Sequence, residues 1–326
     1  MDDLTIRHPT PADAAAITEH LRTVEEVDRT GEHYSTDDVV ELLENPMIDP
    51  GKDWVLAEVD GRLVASTLLM PRAPADGAVD IAIVGEVHPA HRGRGIGSTL
   101  LPMMVTRARE YAAEQGAHLS AVLRGQVISD DEGAAGLFES LGFAALRWNF
   151  LMEADLSAPP QQPSTGQTTA LPEGYTVHTW EGIEHDEIRA AHNAAFGGHH
   201  YGFTPWDAQM WEQWVSGSRA YRPALSLVAR DVDGDIAAYV QTAEYDAVAE
   251  TTGVREAFVA KVGTTPGHRR QGLASALLAQ CIELYRQHGF DRSALDVDSE
   301  NPSGALGVYE RAGFVVTKKF TLYELT

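Results

Sequence analysis

Apolar residues in this chain fall into short runs of strand length and longer runs of helical period, and the order of these runs repeats once. The run 78–87 has the apolar content of a buried strand. A glycine-rich turn follows over 88–97, and 98–108 then reads as the start of a helix, with Pro102 early enough to be tolerated in its first turns. The second half repeats the series with a strand over 257–263, a turn over 265–274 and a helix from 275. Both copies continue into a short element ending in Gly-Phe, at 136–143 and 307–314. Leu4–Arg7 and Tyr175–Trp180 match as opening strands, Trp54–Ala57 matches Leu225–Ala229, and Phe150–Asp155 reads as the last strand of the first half. The stretch 156–172 is rich in Pro, Gln, Ser and Thr without apolar period, so it is expected to be a linker between domains at 1–155 and 173–326.

The two turns carry the candidate chemistry. Arg92-Gly93-Arg94-Gly95-Ile96-Gly97 and Arg269-Arg270-Gln271-Gly272-Leu273-Ala274 share the pattern Arg-x-x-Gly-x-(Gly/Ala) between a strand and a helix. Small residues let the backbone approach a diphosphate, and the first amides of the helix point at it with the positive end of the helix dipole behind them. A lone glycine-rich turn is weak evidence, since ordinary strand-to-helix turns also use glycine. Recurrence with the same flanking elements, in the same order, makes the pair a duplicated cofactor-binding domain.

Composition narrows the partners. The chain has 326 residues, enough for two domains that each bury a core, and a single cysteine, Cys281, which excludes an intrachain disulfide framework. A formal charge of -23 opposes binding to nucleic acid or anionic membranes and favours the approach of cationic acceptors. The opening residues lack a basic region followed by an apolar run, and no apolar segment approaches the length of a membrane span, so a cytoplasmic enzyme is expected.

Taken together, the turns, the strands before them and the Gly-Phe elements resemble the GNAT superfamily of acyl-CoA-dependent N-acyltransferases, over nearly the whole chain. The resemblance implies an α/β fold of two tandem domains, each a mixed, mostly antiparallel twisted sheet flanked by helices. It implies acetyl-CoA as cofactor, with the pyrophosphate on Arg269, Arg270, Gln271, Gly272, Leu273 and Ala274, and in the first copy on Arg92, Gly93, Arg94, Gly95, Ile96 and Gly97. The preceding strands offer backbone groups to the pantetheine arm at Val262 and Thr264, and at Val87 in the first copy. Asn301 and Tyr309 stand in the register of the family's thioester end, with Tyr309 the general acid for the leaving thiolate. The first half has Asp130 and Phe138 at those offsets, so catalysis is expected in the C-terminal domain and a degenerate role in the N-terminal one.

The base and the acceptor pocket are less defined. The strand position at which family members often place a glutamate falls on Phe258, and on Ile81 in the first copy, leaving Glu256 and Glu244 as candidates. Acceptor selection is assigned to Phe196, His199, His200, Tyr201 and Trp206, in the ring-rich segment that the resemblance places on the wall of the acceptor cleft. Spacing among the histidines of this segment gives no metal site. The expected reaction is acetyl transfer to a primary amine of a small molecule by a monomer or homodimer. Two other readings stay open on the sequence: acetylation of a protein N-terminus or lysine, and a non-catalytic acyl-CoA sensor.

Overall fold

The computed structural model describes residues 4–72, 74, 77–157, 170–197, 203–300 and 304–326. Two compact units divide them, one of Met1–Trp148 with Lys319–Thr326 and one of Asn149–Lys318.

The first half of the chain folds as β1 (Leu4–Arg7), α1 (Ala14–Asp28), α2 (Thr36–Leu43), α3 (Pro50–Asp53), β2 (Trp54–Val59), β3 (Arg62–Pro71), β4 (Ala78–Val87), α4 (Ile96–Gln115), β5 (Ser120–Ile128), α5 (Glu132–Ser140) and β6 (Ala144–Asp155). The second half repeats much of this plan as β7 (Thr176–Thr179), α6 (His185–Phe196), α7 (Ala208–Trp211), β8 (Leu227–Arg230), β9 (Ile236–Ala243), α8 (Asp246–Thr252), β10 (Glu256–Thr264), α9 (Leu273–Gln287), β11 (Arg292–Asp298), α10 (Ala305–Arg311) and β12 (Val315–Leu325). Both cradle helices begin two residues before the expected starts, and α4 runs through Pro102 in its second turn.

Within the first unit the strands lie in the order β1-β2-β3-β4-β5-β12, and within the second in the order β6-β11-β10-β9-β8-β7. The pairs β4/β5 and β10/β11 are parallel, and β1/β2, β2/β3, β3/β4 and their counterparts in the second unit are antiparallel. Each sheet is completed by the last strand of the other half of the sequence. Arg292 to Asp298 pair with Asp155 to Asn149, and Phe320 to Leu325 pair with Ile128 to Leu123, both antiparallel.

Helices cover both faces of each sheet because the strands are apolar on both faces, as parallel-containing sheets are. In the first unit Ile17, Val39 and Leu43 of α1 and α2 pack with Trp54, Leu56 and Leu68, while Leu100, Met104 and Ala108 of α4 pack with Val79, Ile81 and Leu123 on the other face. In the second, Ile188 and Ala195 of α6 pack with Trp211, Val228 and Tyr239. Opposite them, Leu273, Leu277 and Cys281 of α9 pack with Ala257, Val259 and Leu295. Two-faced coverage leaves β10 lying between α6 and α9, and on that strand the candidate site is built. None of the helices among the described residues is long and apolar enough to cross a membrane.

Candidate functional site

At the end of β10 the chain turns through Pro266–His268 and enters α9. Arg270 (φ 61°) and Gly272 (φ 84°) both hold left-handed backbone, two residues apart. Such alternation makes a concave nest of amides, and it leads directly into the orphan donors of the first helical turn at Leu273, Ala274 and Ser275. Glycine takes this geometry freely, whereas an L-residue such as Arg270 pays roughly 1–2 kcal/mol for it. The first copy has the same shape, with Gly93 at φ 71° and Gly95 at φ 80° before Ile96.

The arginine that opens each motif braces the turn. Arg269 donates from Nε to the Thr264 carbonyl (3.3 Å) and from Nη2 to the Ala195 carbonyl at the end of α6 (2.9 Å). Arg92 does the same from Nε to Val87 (3.0 Å), with its other nitrogens on the Asp28 carboxylate at the end of α1 (2.7 and 2.6 Å). These side chains fix the loop against strand and helix, which leaves ligand contact to the amides. Gln271 is tethered too, its Oε1 accepting from the Tyr175 hydroxyl (2.9 Å), which also bonds Nδ1 of His268 (2.8 Å). Leu273 and Ile96 are buried under their loops, Arg94 and Arg270 are exposed, and Gly97 packs under Leu137.

Beside each cradle the parallel pair comes apart. β10 pairs with β11 only from Glu256↔Arg292 to Phe258↔Ala294, yet continues to Thr264. β4 pairs with β5 from Ala78↔Ser120 to Ala82↔Arg124 and continues to Val87. The freed edges, which include Val262, Thr264 and Val87, offer main-chain donors and acceptors that an extended, amide-bearing ligand could satisfy.

Near this opening in the second unit lies a polar cluster within an otherwise apolar core. Tyr309 on α10 is buried, and burial pushes its phenol up to about 12, so it holds its proton at neutral pH. Its charge would be felt by the hydroxyl of Tyr239 on β9, a fully buried residue whose own phenol is raised first by burial and then by Tyr309. Tyr239 in turn bonds Nδ1 of His192 on α6 (2.6 Å). Room for the Tyr239 ring comes from Gly263 on the facing strand, where a Cβ would lie 2.3 Å from Tyr239 Cε1. Gly263→Ala is therefore expected to overpack the sheet and to destabilise the protein by about 1–3 kcal/mol. A denaturant melt with an unchanged midpoint would mean that the ring can give way.

In the first unit the corresponding aromatic is Phe138, whose ring fills the space over Gly125: a Cβ there would sit 2.4 Å from Phe138 Cε1. It stacks edge-on with Phe143 and lies beside Tyr323, so its environment is a packing one.

Phe196 and Trp206 come together around His192, with ring centroids 4.7 and 4.8 Å from it. Asn193 holds the backbone of Trp206 from both sides, donating to its carbonyl (2.9 Å) and accepting from its amide (2.8 Å). His199, His200, Tyr201 and Asn301 lie outside the described residues.

The two carboxylates considered as bases are both paired with arginines. Glu244 is gripped by Arg255 (2.6 Å) and Arg222 (2.9 Å); burial works against its charge, but the two guanidinium groups outweigh it and hold the carboxyl below its ordinary range. Glu256 is buried at the start of β10 against Nε of Arg292 (2.7 Å), with its carboxyl raised first by burial. Gly263 lies seven positions further along the strand, roughly 23 Å at the usual rise. Both carboxylates anchor arginines. Sequence reasoning passed over the Tyr239–His192 pair, since its members lie 47 residues apart. A glycine within an apolar strand, marking close approach of a ring, was the available signal.

A left-handed turn feeding a helix N-terminus beside a splayed parallel pair, present once in each unit, defines the acyltransferase class that the sequence resembles. The Acetyltransferase (GNAT) family matches residues 17–143 and 185–314, and the chain belongs to it, as two tandem copies. It is similar to the mycothiol acetyltransferase of Clavibacter michiganensis subsp. michiganensis, at 28% identity over 264 residues, 80% of this chain and 76% of that one. Similarity to the mycothiol acetyltransferase of Streptomyces coelicolor extends over 321 residues at 28% identity, 96% of this chain and 91% of the other. Among solved structures, the GCN5-related N-acetyltransferase from Sphaerobacter thermophilus matches with a TM-score of 0.78 and 26% identity, covering 100% of this chain and 96% of its own. The protein is an acyl-CoA-dependent N-acetyltransferase.

Proposed function

We propose that the protein moves an acetyl group from acetyl-CoA to a primary amine of a small molecule, and that turnover belongs to the unit of residues 149–318. The observation that carries this is the contrast at one position: a buried tyrosine, Tyr309, in the second unit against Phe138 in the first. The cofactor's features match what the chain offers, since the amides from Gln271 to Ser275 suit a pyrophosphate and the freed edge of β10 suits the amides of a pantetheine arm. Acetyl-CoA supplies a thioester carbonyl, at which a carbon–nitrogen bond to the amine forms and the carbon–sulfur bond breaks.

In this reading Tyr309 donates its phenolic proton to the departing thiolate and regains one from solvent. The amine enters along the α6 face, between Phe196 and Trp206, and loses its surplus proton to water, because Glu244 and Glu256 are committed to arginines. Tyr239 and His192 keep the floor of the site rigid. The first unit keeps the cradle without the acid and serves as a non-catalytic partner. The names of the relatives favour a small-molecule acceptor over a protein one, and a cytoplasmic location accords with the single buried cysteine.

Screening a library of amines with acetyl-CoA while following free thiol tests the proposal. Release that requires a small primary amine is the expected result. Release only with peptides or proteins would replace the acceptor class, and acetyl-CoA binding with no release for any amine would make the protein a sensor.

A further inference from the structure

Tyr175, just before β7, sets one hydroxyl against two residues of the second cradle. It lies 2.8 Å from Nδ1 of His268 and donates to Oε1 of Gln271 at 2.9 Å. Between those two residues stands Arg270, the one non-glycine residue of this turn in left-handed backbone (φ 61°). A strained position of that kind persists where its surroundings over-determine it. The Tyr175 ring meets His268 edge-on, with centroids 5.7 Å apart, and packs against the core on the α9 side, so the hydroxyl is held from behind. In the first unit the position of Arg270 is taken by Gly93 (φ 71°), which adopts the conformation freely, and Arg94 stands in place of Gln271. The clamp occurs where the turn carries strain.

The hydrogen-bond geometry fixes the proton state of the imidazole. The Gln271 amide points its nitrogen at the Gly267 carbonyl (3.4 Å), and reversing it would set two carbonyl oxygens against each other. The Tyr175 hydroxyl therefore gives its single proton to Gln271, which leaves its oxygen to accept from Nδ1–H of His268. On the other side of the ring, Nε2 lies 3.4 Å from Oδ2 of Asp231, on the turn after β8. Asp231 is itself oriented, since its Oδ1 accepts from the amides of Asp233 and Asp235 (3.0 Å each). A bare Nε2 would turn its lone pair on that carboxylate, whereas a proton there makes an ion pair. An imidazolium satisfies every contact; a neutral ring loses either the Asp231 pair or the Gln271 tether. Among the described residues Asp231 is the one charged group in ion-pair contact with His268, for Arg269 of the same turn reaches to the Thr264 and Ala195 carbonyls and Arg270 is exposed.

We propose that Asp231, His268 and Tyr175 form a proton-dependent clamp on the second cradle, which holds Arg270 and Gln271 in the shape that binds acetyl-CoA only while His268 is an imidazolium. The inference rests on the reading that this cradle takes the cofactor's pyrophosphate. All three are positioning residues, acting on the cofactor through the backbone of the turn. Affinity for acetyl-CoA is then greatest at low pH and falls as rising pH removes the proton from His268. The first unit lacks the device. His91 stands there in the place of His268, its Nδ1 has no partner among the described residues, and burial together with the charges of Arg94 and His88 holds it below the ordinary imidazole range.

The test measures acetyl-CoA binding by calorimetry at pH 6 and pH 8.5, on the full chain carrying Gly95→Glu so that the second cradle alone reports. This parent should bind roughly tenfold more weakly at pH 8.5, as the loss of one charge-assisted tether implies. His268→Gln should bring the ratio between the two pH values to within about twofold, and Tyr175→Phe should do the same while weakening binding roughly tenfold at pH 6. Added to Arg270→Gly, in which glycine takes the left-handed backbone without strain, Tyr175→Phe should cost less than about twofold. Equal affinity of the parent at both pH values, a pH response that survives His268→Gln, or an undiminished effect of Tyr175→Phe in the Arg270→Gly background would overturn the proposal. Failure of the parent to bind acetyl-CoA at either pH would bring down the assignment of the cofactor to this cradle together with the clamp, whereas tight binding without a pH response removes the clamp alone.

Discussion

Tyr309→Phe is expected to lower kcat by roughly 10²- to 10⁴-fold, the range typical of a positioned general acid, while leaving the affinity for acetyl-CoA nearly unchanged. The ring remains packed against Phe314, so the loss is confined to the hydroxyl. A proton donated only as the thiolate departs matters in the transition state and little in the ground state, hence the effect on kcat. The pH profile gives a second check. Burial penalises the phenolate and pushes Tyr309 up to about 12, so its proton stays on as the pH rises through the range where an exposed tyrosine, near 10, would release it. The kcat of the wild type should therefore show no fall assignable to this group between pH 8 and pH 10. Wild-type kcat in Tyr309→Phe, with an acceptor whose chemical step is rate-limiting, would return the residue to core packing.

The second large effect is expected at Gly272. Among the described residues, and apart from the glycine and its two chain neighbours, no atom lies within 4 Å of the position that a Cβ would take there, so a side chain has room and the turn itself can persist. What changes with Gly272→Glu is the charge in front of the amide nest. A carboxylate about 5 Å from one phosphate charge costs roughly 3 kcal/mol at an effective dielectric near 20, and the left-handed backbone at φ 84° adds about 1 kcal/mol. Acetyl-CoA affinity should fall by roughly a hundredfold or more, read by calorimetry on a variant whose melt shows it folded. Retention of wild-type affinity would move the pyrophosphate elsewhere.

What was legible in the sequence was local. The cradles, the strand before each and the contrast of Tyr309 with Phe138 all lie within contiguous stretches, and their residue types follow from backbone conformation and helix termini. The left-handed positions were readable as glycine at 93, 95 and 272, but Arg270 takes the same conformation with no glycine to announce it. Long-range pairing was not legible. Phe150–Asp155 was expected to close the first half, yet these residues pair with β11, because an alternating strand carries no label for its partner. Glu244 and Glu256 looked available as bases because the arginines that hold them come from other segments, at 222, 255 and 292. In β10 Val259 pairs with Thr242 and Lys261 with the next residue, Gln241, and the bulge that this makes at Ala260 was equally silent, since an inserted alanine in an apolar run leaves no mark on composition.

The division of labour between the two units is tested most directly by comparing acetyl-CoA-dependent turnover in Gly95→Glu and Gly272→Glu, each shown to be folded, with the best acceptor from the amine screen. Gly95→Glu should turn over at close to the wild-type rate and Gly272→Glu should be nearly inactive at the same acetyl-CoA concentration. Turnover abolished by Gly95→Glu and preserved in Gly272→Glu would place the reaction in the first unit and contradict the account.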